Sequence, residues 1–171
     1  MARVGRVFVS STLGELAEER AAVRRAIQHS RRIDNRPQMA QALQGLALVD
    51  ARLGRVDRAE EALAEAITFV VADRSVTGAT YCLEALAAVA AARDDAEDAA
   101  RLIGAARSAR RRLAIPELTA AADAAQPVVA KVRRVLPGSR FTELWEEGAS
   151  CDLFERLQRV VDPGEAPAAQ T

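Results

Sequence analysis

The helical part of this sequence repeats itself, and that recurrence limits its possible folds more than any single motif does. Leu43, Leu46 and Ala47 correspond to Leu83, Leu86 and Ala87. Ala59, Leu63 and Ala66 correspond to Ala99, Ile103 and Ala106, and each pair is separated by 40 positions. Alanines at matched points of two consecutive helix pairs let backbones approach closely, while leucines fill the space between them. A repeat of this length is the mark of stacked helical hairpins. Composition matters here in one respect. Half of the 171 residues are hydrophobic, mainly alanine and leucine, and only 4% are aromatic, a mixture that favours closely packed helices. The pattern predicts helices over 37–53, 56–72, 75–92 and 95–113. Gly54 breaks the first hairpin, with Asp57 opening its second helix, and Arg93-Asp94-Asp95 makes the equivalent break in the second.

The flanks read differently. Residues 4–9, VGRVFV, have strand-forming side chains and no helical period. Ser10-Ser11-Thr12 follows, Thr12 and Glu15 have capping-box spacing, and a helix is expected over 13–29. A lone strand poses a problem, because its backbone amides need partners and no second strand follows. Beyond the repeats, Pro116 is expected to start a helix over 117–135, ended by Pro137-Gly138-Ser139. A short helix over 140–147 holds Phe141, Leu144 and Trp145; Gly148 breaks it, and Ser150 caps a last helix over 151–161. Trp145, Phe141 and Phe154 are expected to pack between these last two helices. The fold class expected is all-α, tetratricopeptide-like hairpin repeats in a right-handed solenoid, with a short N-terminal strand-turn-helix. The division expected is a strand-turn-helix unit at 1–30, a repeat domain at 37–161 and a disordered tail at 162–171. Two repeats are fewer than a solenoid usually needs, so the last three helices act as a cap or a second copy of the chain covers the exposed face.

Two parts of the chain, the helical repeat region and the N-terminus, are similar to known families. Leu43-x-x-Leu46-Ala47 with Ala59 to Ala66 resembles a tetratricopeptide repeat, at a longer spacing than is usual. AARLIGAARSARRRL (99–113) and FTELWEEG (141–148) resemble the C-terminal region of actinobacterial multidomain regulators of the LuxR and AfsR type, which join a nucleotide-hydrolysing switch domain to helical repeats. RVFVSSTLGELAEERAAVRRAI (6–27) is similar to the opening of a TIR-like bacterial domain of unknown function that often begins such regulators. The resemblance implies a chain that looks like both ends of a regulator, joined near 28–36 with the middle removed; a cytoplasmic location is expected because MARVGRVFVSS lacks a signal peptide's apolar core and cleavage site.

The chemistry expected is that of binding rather than catalysis. No GxxxxGK[ST] phosphate loop exists, so the regulators' nucleotide hydrolysis does not carry over. With His29 the single histidine and Cys82 and Cys151 outside metal-ligand spacing, neither a zinc site nor a His-based triad is expected; no cofactor is implied. The two cysteines read as buried or half-buried thiols. Ser10-Ser11-Thr12 can serve as a helix cap or, with less to support it, as a phosphate cradle. Arg107, Arg110, Arg111 and Arg112, with Arg133 and Arg134 on the next helix, form a basic cluster. Zero formal net charge, upstream acids and the lack of interleaved aromatics argue against nucleic acid. The longest apolar run, 85–92, is too short to span a membrane. A protein or peptide partner fits best, in a groove lined by Gln41, Gln44, Tyr81 and Glu84; the competing expectations are a regulator remnant without an independent role and a regulator that binds nucleotide or nucleic acid weakly.

Overall fold

One turn geometry recurs every 20 residues, and it sets the architecture. The computed structural model describes the backbone over 2–115 and 119–162 and the side chains over 17–115 and 126–162. It is all-helical among the described residues: α1 (Ala2–Arg32), α2 (Arg36–Arg52), α3 (Val56–Ala72), α4 (Val76–Ala92), α5 (Ala96–Leu113), α6 (Thr119–Val135), α7 (Gly138–Ser150) and α8 (Leu153–Val161). Asp34, Gly54, Arg74, Asp94 and Ala114 all stand at positive φ, between 48° and 70°. The residue after each donates its N–H five positions back, to the carbonyls of Ser30, Asp50, Val70, Ala90 and Arg110, at 2.8–3.1 Å. This bond closes a Schellman turn and satisfies carbonyls that a helix end would otherwise leave open. In the first four turns the same residue is also the N-cap of the next helix: Asn35, Arg55, Ser75 and Asp95. The side chains of Asn35, Ser75 and Asp95 accept from the amides of Gln38, Gly78 and Asp98. Arg55 makes no such bond, and Asp57 lies in the first turn rather than at the cap. Among these left-handed positions only Gly54 is free of Cβ strain; the others accept roughly 1–2 kcal/mol each.

The repeated alanines and leucines form the core. Leu43, Ala47, Ala59, Leu63 and Ala66, and their counterparts Leu83, Ala87, Ala99, Ile103 and Ala106, are all buried in one cluster. Leu86 is buried with them, and Leu46 packs half-buried against its edge. α2 lies against α3 and α4, and α4 against α5. Ala59 has no exposed surface. Ala59→Leu should therefore overpack the first hairpin and cost about 1–3 kcal/mol. Thermal melts check this, and an unchanged midpoint would show that Ala59 is not at a helix contact.

Several expectations change at the flanks. Residues 4–9 belong to α1, not to a strand, and Thr12 and Glu15 lie inside that helix rather than at its start. A single strand would leave its amides unpaired, whereas a helix closes its hydrogen bonds within the segment, so the local β preference of Val and Phe yields. The amides of Ser10, Ser11 and Thr12 are spent on the helix and cradle no phosphate. α1 packs on α2 through Ile27 and Val23. Gly148 does not break a helix, since α7 runs through it to Ser150, and the cap of α8 is Asp152, whose carboxylate accepts from the amides of Phe154 and Glu155. Pro116 and the tail from 163 onward lie outside the described residues.

The last helices cover the hairpins. α7 crosses α5 at backbone contact: a Cβ on Gly104 would lie 2.2 Å from the Trp145 carbonyl oxygen, and one on Gly148 would lie 1.9 Å from that of Arg101. Arg101 to Glu147 (2.8 Å) and the two bonds from Arg140 to Glu97 (3.0 Å each) flank this crossing. The Arg140 hydrogen bond holds the Glu97 carboxyl below its ordinary range. α6 packs on α4 and α5, and Lys131, the one lysine of the chain, donates to the Ala91 carbonyl at 2.5 Å and to Asp94 at 2.7 Å, closing the C-terminal end of α4.

Candidate functional site

The four residues expected to line a groove sit on α2 and α4, but the fold employs most of them internally. Gln41 is exposed. Gln44 is buried, and its amide donates to the Gly78 carbonyl and to Cys82 Sγ, both at 3.1 Å. It ties α2 to α4 where two hairpins meet. Gln41, Gln44 and Tyr81 do share one cavity of about 250 Å³, which Pro37, Phe69 and Thr77 also line. Glu84 lies outside that cavity. Its carboxylate accepts two bonds from Arg110 of α5, at 2.6 and 2.9 Å, with side-chain exposures of 16% and 5%. The Arg110 guanidinium also lies over the Tyr81 ring, 4.9 Å from its centre. These contacts hold Arg110 firmly protonated against its burial, with the Glu84 hydrogen bond the largest cause. Such bidentate, shielded pairs fix geometry between helices. Tyr81 and Glu84 are thus a strut between the two helices of the second hairpin.

Cys82 is buried and Cys151 half-buried. Burial pushes the Cys82 thiol up to about 12, only partly countered by the Gln44 hydrogen bond, so the reactive thiolate is absent at neutral pH. At pH 8 an aromatic disulfide reagent should titrate Cys151 alone in the native chain and release the Cys82 signal only on unfolding. Two equivalents released together would show that Cys82 is accessible.

The basic cluster gathers more tightly than the sequence implied. Arg107, Arg110 and Arg111 of α5 and Arg133 of α6 line one cavity of about 560 Å³, together with Gln126 and Trp145. No acidic side chain stands among these described lining residues. Arg133 lies over the Phe141 ring at 4.9 Å, and Phe141 and Trp145 meet at 5.6 Å between centroids. Phe154 does not join them; it lies 4.3 Å beneath the Arg74 guanidinium at the α3–α4 turn. Arg110 already holds the Glu84 carboxylate, so a carboxylate or phosphate here would meet the other guanidinium groups beside the aromatic ring. Sequence reasoning had the arginines of α5 but could not place Trp145 among them.

Among the described residues no group of three or more His, Cys, Asp or Glu side chains could hold a metal ion, and no helix is long and apolar enough to cross a membrane. Comparison with protein-family models, with curated proteins and with solved structures finds no match.

Proposed function

We propose that this chain is a non-enzymatic protein–protein interaction scaffold: a right-handed, tetratricopeptide-like solenoid over 37–161, acting in the cytoplasm and derived from a bacterial signalling or transcriptional regulator. The observation that carries the reading is the seat of α8. Its hydrophobic face, with Leu153 and Leu157 buried, lies across α3 and α4, and Arg156 reaches Asp98 of α5. The stacked hairpins thus hold an amphipathic helix between them, the mode by which helical partners enter grooves. Support for the regulator ancestry comes from 99–113 and 141–148: the glycines of both stretches, Gly104 and Gly148, meet at one helix crossing, which gives their joint appearance a packing reason. The TIR-like likeness of 6–27 rests on sequence alone, because that segment is helical here.

The test is capture of a partner by the full chain, followed by calorimetric titration of the purified pair. Saturable micromolar binding is expected. A chain that folds but titrates with nothing it captures would favour a remnant without a role of its own. The arginine cavity favours a second reading, a regulator that senses a small anion. Trp145 is the single tryptophan, so titration with inorganic phosphate or ADP reads that cavity by fluorescence. A flat trace rejects this second reading.

A further inference from the structure

Shifting the chain by one 40-residue repeat lays α1, α2 and α3 onto α3, α4 and α5. The second set holds α8: Arg156 and Val160 stand beside Glu60, Leu86, Ala90, Asp98 and Leu102, and Arg156 pairs with Asp98. One repeat earlier the same five positions are Arg20, Leu46, Asp50, Arg58 and Ala62, and they line a cavity of about 540 Å³ with Ile27 and Leu43 at its apolar floor. No element among the described residues fills it. The hairpins therefore contain two quasi-equivalent seats for a helix, and the chain's own α8 takes one.

The differences between the seats specify the missing occupant. Arg58 stands where Asp98 receives Arg156, and Arg24 lies in the same cavity; Glu61 and Glu65 line it as well, Glu65 holding Arg31 at 2.6 Å. Ala62 in place of Leu102 leaves more room. Asp50 replaces Ala90 and is almost fully buried; its Oδ1 takes a 2.5 Å bond from Arg20, while Oδ2 has no hydrogen-bond partner among the described residues. A buried carboxylate oxygen left open is costly and can be completed only by a donor, so the occupant must bring a hydroxyl, amide or cationic group to Asp50 besides whatever meets Arg58. The α8 of a second copy would bring Arg156 against Arg58, so charge turns it away.

We propose that the cavity between α1, α2 and α3 is the docking site for an amphipathic helix of another protein, one that carries a carboxylate where α8 carries Arg156. This rests on the scaffold reading above and names its partner class.

The probe is a fluorescein-labelled, helix-stapled peptide of residues 152–161 bearing R156E, titrated by anisotropy against the full chain. The carboxylate also disfavours its entry beside Asp98, so it reports on the first seat. It should bind saturably, at least about tenfold more tightly than the unsubstituted peptide. Arg58→Glu, at an exposed position, should leave the melting temperature unchanged and reverse the preference. Absence of saturable binding, a preference for the unsubstituted peptide, or a preference that Arg58→Glu does not alter each overturns the proposal. So does concentration-dependent dimerisation of the full chain that the unsubstituted peptide abolishes, since the occupant is then a second copy. A captured partner that binds the Arg58→Glu chain equally well would overturn this site while leaving the scaffold reading in place.

Discussion

Replacing Gly148 by alanine will lower the melting temperature, although the same change in an unobstructed helix raises it. The new Cβ would sit 1.9 Å from the Arg101 carbonyl oxygen and 2.8 Å from its Cα. Those are backbone atoms inside α5, so no side-chain rotation relieves the contact and the two helices must part. Parting them opens space around Phe141 and Leu144, which the crossing now buries. Overpacking of this kind should cost about 3 kcal/mol, outweighing the ~1 kcal/mol that alanine gains over glycine in a helix. With a net loss of about 2 kcal/mol, the midpoint of a chain of this length should fall by about 4–8 °C. Gly104→Ala, with its Cβ 2.2 Å from the Trp145 oxygen, should behave likewise. Gly45→Ala is the control, because its Cβ would meet only Val23 methyl groups at 3.9–4.0 Å, and it should be neutral or stabilising. Equal melts for Gly148→Ala and Gly45→Ala would refute the close crossing.

Removing one member of the Glu84–Arg110 pair should cost about as much. Arg110→Ala leaves the Glu84 carboxylate facing a space from which both of its donors have gone, and uncovers Tyr81. Glu84→Ala leaves a shielded guanidinium. Each should destabilise by about 3 kcal/mol, because the remaining charge keeps its desolvation penalty without its partner. The double substitution Glu84→Leu with Arg110→Met removes both charges at similar volume and should return close to the starting stability. Urea unfolding of this double variant beside Glu84→Leu and Arg110→Met alone supplies the cycle. Additive losses in the double variant would mean that the two side chains do not interact.

Much of the hairpin region is legible in the sequence because its determinants are local. The expected helices at 56–72 and 95–113 match α3 and α5 to within one residue, as α2 and α4 match theirs. Capping and period operate over three or four positions, which a single chain displays. The 20-residue recurrence of the turn is less visible. Its left-handed positions are Asp, Gly, Arg, Asp and Ala, so backbone geometry repeats without a shared side chain, and only the apolar faces betray the 40-residue unit. The N-terminal strand was misread because β preference is local whereas strand pairing is not. Gly148 was misread as a breaker because glycine serves both to end a helix and to admit another backbone.

The candidate site was less legible still. Gln44 and Glu84 look like free polar groups along one helix, yet Cys82, Gly78 and Arg110 claim them from 26 to 38 positions away. What the sequence determined by itself was the four helices of the two hairpins, their ends and their buried faces, since these follow from contacts within a turn or two. Only the tertiary structure decided that two glycines 44 positions apart touch opposing backbones, that α8 fills one seat between hairpins, and that Arg20 and Arg58 stand at the equivalent seat where Glu60 and Asp98 stand beside α8. Those outcomes depend on which helix faces meet, and that is set by the packing of the whole chain rather than by any segment of it.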